Sequence, residues 1–241
     1  MTAPEPVLWQ DQAPHSSRFS DIYRTRYGAL AQSRSVFLAG CGLPEGWRGR
    51  PQFTVLETGF GLGLNFLTTW ATWQADPQAC ARLNFVSVEA YPVHLDDILR
   101  STLALSTEAG GCATDFATRL PALAQQLAPV WPTLQPGLNH WPLDQGRVQL
   151  TLAVGDVRAM LPQWPGLADA VYLDGFSPAR NPDMWCDATL GAVAQHCRPG
   201  TRLASYTVAA QVRHGLSALG FQVRKCPGLP PKRDRLEAVM C

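Results

Sequence analysis

Glu57-Thr58-Gly59-Phe60-Gly61-Leu62-Gly63-Leu64-Asn65 stands where an apolar run ends and a helical pattern begins. Three glycines at alternate positions let a backbone turn tightly and approach a ligand that a Cβ would repel. The spacing is GxGxG. A dinucleotide site places its third glycine one residue later, where the pyrophosphate meets the helix N-terminus. Glu57, two residues before the first glycine, would also face a pyrophosphate unfavourably, whereas it can accept from an ammonium group.

Outward from this turn, short apolar runs alternate with helical patterns, the mark of a parallel sheet covered by helices. Seven runs read as strands: 53–57, 84–89, 148–154, 170–174, 202–206, 221–225 and 236–240. Only a loop separates the last two, so they pair as an antiparallel hairpin at one edge. Asn65 can cap a helix carrying Phe66, Leu67, Trp70 and Trp73. Asn181-Pro182 makes an N-cap and first-turn pair for a helix carrying Leu190, Val193 and Cys197, which Gly200 closes; Gly220 closes the next. Residues 1–50 and 100–146 stand outside the alternation, as an N-terminal addition and a helical insertion to a single domain, 1–241. They either cover sheet edges or help to bind substrate.

With 241 residues, 46% of them apolar and 16% charged, the chain can bury a sizeable core and is not a disordered segment. Twenty Lys+Arg against 19 Asp+Glu leave a net charge of +1. No global positive field draws this chain to a polyanion, which must be met by a local patch. Its 5 histidines and 7 cysteines show no metal-ligand spacing and no CxxC pair, consistent with reduced thiols in a cytoplasmic protein that uses no metal. The N-terminus lacks the basic and apolar regions of a secretion signal, and no stretch approaches the ~18 apolar residues of a membrane span.

Further acids stand at strand ends, where ligands of open α/β sheets sit. Glu89 ends the second strand and can take both hydroxyls of a ribose; Asp156 follows the third and can accept from an adenine amine. Either can instead cap the helix that follows. The fourth strand delivers Leu173-Asp174-Gly175-Phe176-Ser177-Pro178. Here Asp174 can accept from an amine N–H while Phe176 offers a face to a flat base, or the pair Asp174-Gly175 simply closes a turn.

The glycine turn resembles the first motif of S-adenosylmethionine-dependent methyltransferases, and the Asp174 segment is similar to the motif by which amino-methyltransferases hold a target nitrogen beside the methyl donor. More specifically, residues 173–185 together with 57–67 resemble the tRNA 5-methylaminomethyl-2-thiouridine methyltransferase family, known as half of a bifunctional wobble-uridine enzyme and as a stand-alone form. Phe19-Ser20-Asp21-Ile22-Tyr23, Val36-Phe37-Leu38-Ala39-Gly40, Arg198-Pro199-Gly200-Thr201 and Lys232-Arg233-Asp234 extend the resemblance over nearly the whole chain. Cys41, Arg24-Thr25 and Gly228-Leu229-Pro230-Pro231 depart from the family pattern, the first two at contacts expected near the entrance.

The resemblance implies an α/β, Rossmann-like class I methyltransferase fold: a seven-stranded, mostly parallel sheet with an antiparallel edge hairpin. It implies S-adenosyl-L-methionine as methyl donor, held by Tyr23, Glu57, Gly59, Gly61, Gly63, Asn65, Glu89 and Asp156, with Glu57 facing the methionine ammonium. The implied reaction methylates the primary amine of 5-aminomethyl(-2-thio)uridine at the tRNA wobble position, with Asp174 catalytic as acceptor of the amine. Phe176 and Pro178 would lie beside the base, and Lys232 and Arg233 toward the tRNA. A flavin-dependent oxidase, on a separate chain or segment, would prepare the amine; this chain shows no second glycine-rich site for a flavin. Arg18, Arg24, Arg26 and Arg34, and likewise Arg224, Lys225, Lys232, Arg233 and Arg235, either flank the mouth and meet phosphates or form ordinary solvated surface. Two other functions fit the same residues: methylation of a small amine or a different RNA, since a fold does not define its acceptor, and cofactor binding by a scaffold without chemistry.

Overall fold

Parallel strands covered by helices are buried on both faces, and at the centre of the sheet residues 53–58 and 170–173 are all buried, polar ones included. The computed structural model describes residues 4–25, 28–108, 114–230 and 233–241. Its strands are β1 (Val7–Gln10), β2 (Ala13–Ser16), β3 (Asp21–Ile22), β4 (Gln52–Thr58), β5 (Arg82–Glu89), β6 (Gly137–Leu143), β7 (Val148–Val154), β8 (Ala170–Leu173), β9 (Arg202–Ser205), β10 (Phe221–Pro227) and β11 (Asp234–Met240). Its α-helices are α1 (Ala29–Gln32), α2 (Leu64–Ala75), α3 (Leu95–Glu108), α4 (Thr114–Ala117), α5 (Arg119–Gln125), α6 (Val157–Met160), α7 (Asp187–Ala194) and α8 (Ala210–Ala218).

The large sheet has the order β10-β11-β9-β8-β4-β5-β7-β6. Strands β4, β5, β7, β8 and β9 run parallel. From β4 the chain fills one side through β5 and β7, then crosses to β8 and β9 on the other. The β4/β8 boundary is therefore the topological switch point, where a crevice opens at the carboxyl ends of the strands. Alternating side chains sort the core into two layers. Val55, Phe85 and Tyr172 pack with Phe66 and Trp70 of α2, while Leu56, Val171 and Leu173 pack with Leu190 of α7 and Leu216 of α8. Leu56→Ala, in the second layer, is expected to cost about 2–5 kcal/mol, read from denaturant unfolding; a loss below 1 kcal/mol would contradict this packing.

All seven expected strands are present, and β10 and β11 form the expected edge hairpin, with β11 also antiparallel to β9. An eighth strand corrects the count. Strand β6 lies inside 100–146, a stretch that reads as helical, and pairs antiparallel with β7. Gly137-Leu138-Asn139-His140-Trp141-Pro142-Leu143 has no β-branched residue and contains a proline, which an edge strand tolerates. Helix starts differ too. Gly63, with φ +71°, is the N-cap of α2, so Asn65 sits inside the first turn and its side chain is available for other partners. Asn181 precedes only a short 3-10 turn, Pro182–Trp185; α7 begins after Cys186, and Cys197 lies beyond its end.

The N-terminal addition is a three-stranded antiparallel sheet, β1-β2-β3, then α1 and a π-helical turn, Ser33–Leu38. Among the described residues, no helix is long and apolar enough to cross a membrane, and no group of three or more His, Cys, Asp or Glu side chains is placed to hold a metal ion.

Candidate active site at the sheet's switch point

A cavity of about 370 Å³ opens over the ends of β4, β5, β7 and β8, lined by Gly59, Gly61, Asn65, Glu89, Asp174 and Phe176, with Tyr23 and its neighbours covering it. The two turns flanking the switch point touch. A Cβ on Gly59, whose φ is +87°, would lie 3.2 Å from Gly175 Cα and 3.3 Å from the Asp174 carbonyl oxygen. Next to it, Gly61 N–H donates to Glu89 Oε2 at 2.8 Å, and Tyr91 N–H donates to Oε1 at 2.9 Å. Burial raises the Glu89 carboxyl above its ordinary range, against the opposing pull of these backbone donors. A carboxylate has about four lone-pair sites, so both oxygens retain capacity for a diol.

Glu57 is placed otherwise than expected. It is 1% exposed and lies beneath the cavity, where its Oε2 accepts from Ser87 Oγ at 2.7 Å. Burial first, and then the neighbouring Asp174 charge, push its pKa well up. The carboxyl is enclosed and is not among the residues that line the cavity. Because the folded value lies above the unfolded one (about 4.3), stability is full at acid pH and declines as pH rises. Glu57→Gln removes that decline, so its melting temperature should pull ahead of the parent's as pH is raised from about 5. A gap that stays constant as pH rises would refute it.

Asp156 takes the capping alternative. Its Oδ1 accepts from Arg158 N–H, and its carboxylate pairs with the Arg158 guanidinium, which holds its pKa below the ordinary range. The flanking Gly155 and Val157 line the cavity. Gly63 shapes the turn, since a Cβ there would meet the Phe60 ring at 3.0 Å. Neither Asp156, Gly63 nor Pro178 is among the lining residues, whereas Tyr23, Gly59, Gly61, Asn65, Glu89, Asp174 and Phe176 are brought together.

The segment after β8 is tied down residue by residue. Asp174 Oδ1 accepts from Gly175 N–H at 2.8 Å, and Oδ2 accepts from Asn65 Nδ2 at 2.7 Å. Thr58 Oγ1 donates to the Asp174 carbonyl, Tyr206 Oη to that of Gly175 and Trp185 Nε1 to that of Phe176, each at 2.8 Å. Asp21 accepts from both the N–H and the Oγ of Ser177. Phe19 stacks on Phe176 at 4.6 Å, and Tyr23 meets it edge-on at 5.0 Å. One face of Phe176 is thus already covered, and an incoming base meets an aromatic group instead of a lone ring. Sequence reasoning missed Phe19 and Asp21 as site residues, although both lie in a stretch that carried the family resemblance. Trp185 likewise ends the 173–185 stretch that carried the resemblance, whereas Tyr206 gave no such signal.

The basic patches are also revised. Arg24, 6% exposed, donates from Nε to Ser101 Oγ at 2.9 Å and serves as an internal anchor. Arg18 pairs with Glu5 and lies over the Tyr91 ring. Arg224 and Arg235 share Glu237, and Lys225 pairs with Asp234. Arg233 is exposed; Arg26 and Lys232 lie outside the described residues. Cys41 is buried with its Sγ directed at the Val171 carbonyl oxygen, 3.5 Å away, so that departure from the family falls in the core and not at the entrance.

Parallel order, switch-point cavity and glycine turn together define a class I methyltransferase fold. Residues 118–241 match the family described as S-adenosyl-L-methionine-dependent methyltransferase, and the chain belongs to that family. It is 53% identical over 235 residues to the tRNA 5-methylaminomethyl-2-thiouridine biosynthesis bifunctional protein MnmC of Acidovorax sp. (strain JS42), covering 97% of this chain and 35% of that protein. To the protein of the same name from Delftia acidovorans (strain DSM 14801 / SPH-1) it is 48% identical over 240 residues, covering 99% and 35%. The chain spans about a third of the length of these curated relatives. Its fold is similar to the crystal structure of MNMC2 from Aquifex aeolicus, with a TM-score of 0.70 at 21% identity, covering 97% of this chain and 70% of that one.

Proposed function

We propose that this chain, as one methyltransferase domain, methylates the primary amine of 5-aminomethyl(-2-thio)uridine at the tRNA wobble position. The observation that carries this reading is the Asp174 carboxylate, fixed by Asn65 and Gly175 at the cavity wall beside the Phe19, Tyr23 and Phe176 rings. Relatives half identical over nearly the whole chain, and named for that biosynthesis, support it. When bound, S-adenosyl-L-methionine supplies a methyl group activated on a sulfonium. Glu89 and the Gly59–Gly61 turn fit its nucleoside part, since two carboxylate oxygens suit a ribose diol and no Cβ intrudes there.

Asp174 accepts an N–H of the acceptor amine and so directs the nitrogen lone pair along the line of transfer. Its own orientation is set by two donors, so its main contribution is alignment. A wobble base lies in a single-stranded loop and can be splayed out to meet the aromatic group. The nitrogen sheds a proton after transfer, and Asp174 is placed to take it. The amine must be made beforehand, for which a flavin-dependent oxidase in the remaining length of bifunctional relatives is the fitting partner.

The test is mass analysis of nucleosides from hypomodified tRNA incubated with S-adenosyl-L-methionine. One methyl group should be added to the aminomethyl nucleoside and none to tRNA lacking it. No addition to the former overturns the reading, and equal transfer to small amines or unrelated RNA favours the broader alternative. Salt dependence separates the arginines. Arg233→Ala should weaken tRNA binding and reduce the slope of log K against log salt by about 1. Arg224→Ala, which removes a guanidinium held by Glu237, should change that slope less; equal slopes in both variants would place Arg233 away from the tRNA.

A further inference from the structure

We infer that Ser33 is a positioning residue for methyl transfer: through Asn65 it holds the Asp174 carboxylate toward the acceptor amine. The inference rests on the function proposed above. An ionised carboxylate only accepts hydrogen bonds, so the atom of Asn65 that lies 2.7 Å from Asp174 Oδ2 must be Nδ2. The other end of the amide, Oδ1, then faces Ser33 Oγ at 2.7 Å and must accept from it. A flipped amide would set oxygen against carboxylate and lose both bonds. The result is a directed chain: Ser33 hydroxyl to Asn65 carbonyl, Asn65 amide to Asp174. Each end of the Asn65 side chain has a partner within the protein, so support of Asp174 is added to its expected place beside the donor.

Burial gives the chain its force. Ser33 is 2% and Asn65 6% exposed, so bulk water is poorly placed to replace a lost partner. Asn65 is itself fixed in the first turn of α2, where its carbonyl accepts from Thr69 Oγ1 at 2.7 Å. Ser33 opens the π-helical turn Ser33–Leu38, a rare geometry frequently found at functional sites. The N-terminal addition therefore supplies an orienting group to the acceptor site in addition to covering it.

The test compares Ser33→Ala and Ser33→Cys; the second keeps nearly the same volume but donates weakly. Both should lower kcat for methyl transfer by about tenfold, with KM for tRNA and Kd for S-adenosyl-L-methionine within twofold of the parent. The Asn65 side-chain amide resonance should shift in both variants, and in Asp174→Ala. Unchanged kcat in both Ser33 variants overturns the inference, as does weakened donor binding with kcat intact. If the parent fails to methylate aminomethyl tRNA, the proposed function falls, and the amide resonance decides the inference alone. Shifts with both Ser33 and Asp174 substitutions uphold the directed chain, and a resonance indifferent to them overturns it.

Discussion

Asp174→Ala is expected to reduce methyl transfer by about 10²–10⁴-fold while leaving the Kd of S-adenosyl-L-methionine within about twofold. The carboxylate accepts from Asn65 Nδ2 and Gly175 N–H, and its truncation removes the group proposed to orient the amine. The donor contacts assigned to Glu89 and the Gly61 turn are untouched. Asp174→Asn should fall nearly as far, because its amide must either place N–H against Asn65 Nδ2 or turn it toward the acceptor. Single-turnover transfer with calorimetric donor binding separates the effects. Normal kcat, or donor binding lost in step with kcat, removes Asp174 from this role.

Gly59→Val is expected to be the most damaging single change to the fold around the site. The left-handed backbone at φ +87° costs an L-residue roughly 1–2 kcal/mol, and a Cβ 3.2 Å from Gly175 Cα meets backbone that cannot swing aside. Overpacking of that kind adds about 1–3 kcal/mol. For a chain of this size the sum lowers the melting midpoint by about 10 °C, and donor binding should be lost in the molecules that still fold. Gly146→Ala is the control. Its φ is +83° with nothing within 4 Å of the added Cβ, so it should cost only about 1 kcal/mol. Equal midpoints for the two variants would show that the close approach of the β4 and β8 turns contributes nothing.

The parallel strands were legible because burial on both faces forces continuous apolar runs, and such runs are hard to mistake. Strand β6 was not, because an edge strand tolerates His140, Trp141 and Pro142, and its partner β7 supplies the order. Acids at strand ends were legible as a pattern, but their individual roles were not. An acid between a strand and a helix satisfies a ligand site and an N-cap equally well, and only Arg158 beside Asp156 decides that case. The burial of Glu57 was illegible for a different reason: strand periodicity gives the face of a side chain and not its depth. Arg24 read as either a phosphate contact or solvated surface because its charge is local in sequence, while Ser101, the partner that buries it, is 77 positions away. Ser33 carries no motif at all, and its meaning arises only where α2 brings Asn65 against it.

The covering segment has a consequence for how the enzyme comes into being. Asp21 bonds to Ser177, a separation of 156 positions, and Phe19 stacks on the residue before it. During synthesis at ~5–20 residues per second, the first strands and their aromatic side chains wait roughly 8–30 s for these partners to leave the ribosome. Contacts so distant in sequence close late, so the cavity stays uncovered while the intervening strands assemble. Nascent chains therefore lack a closed cavity until the segment after β8 has been made.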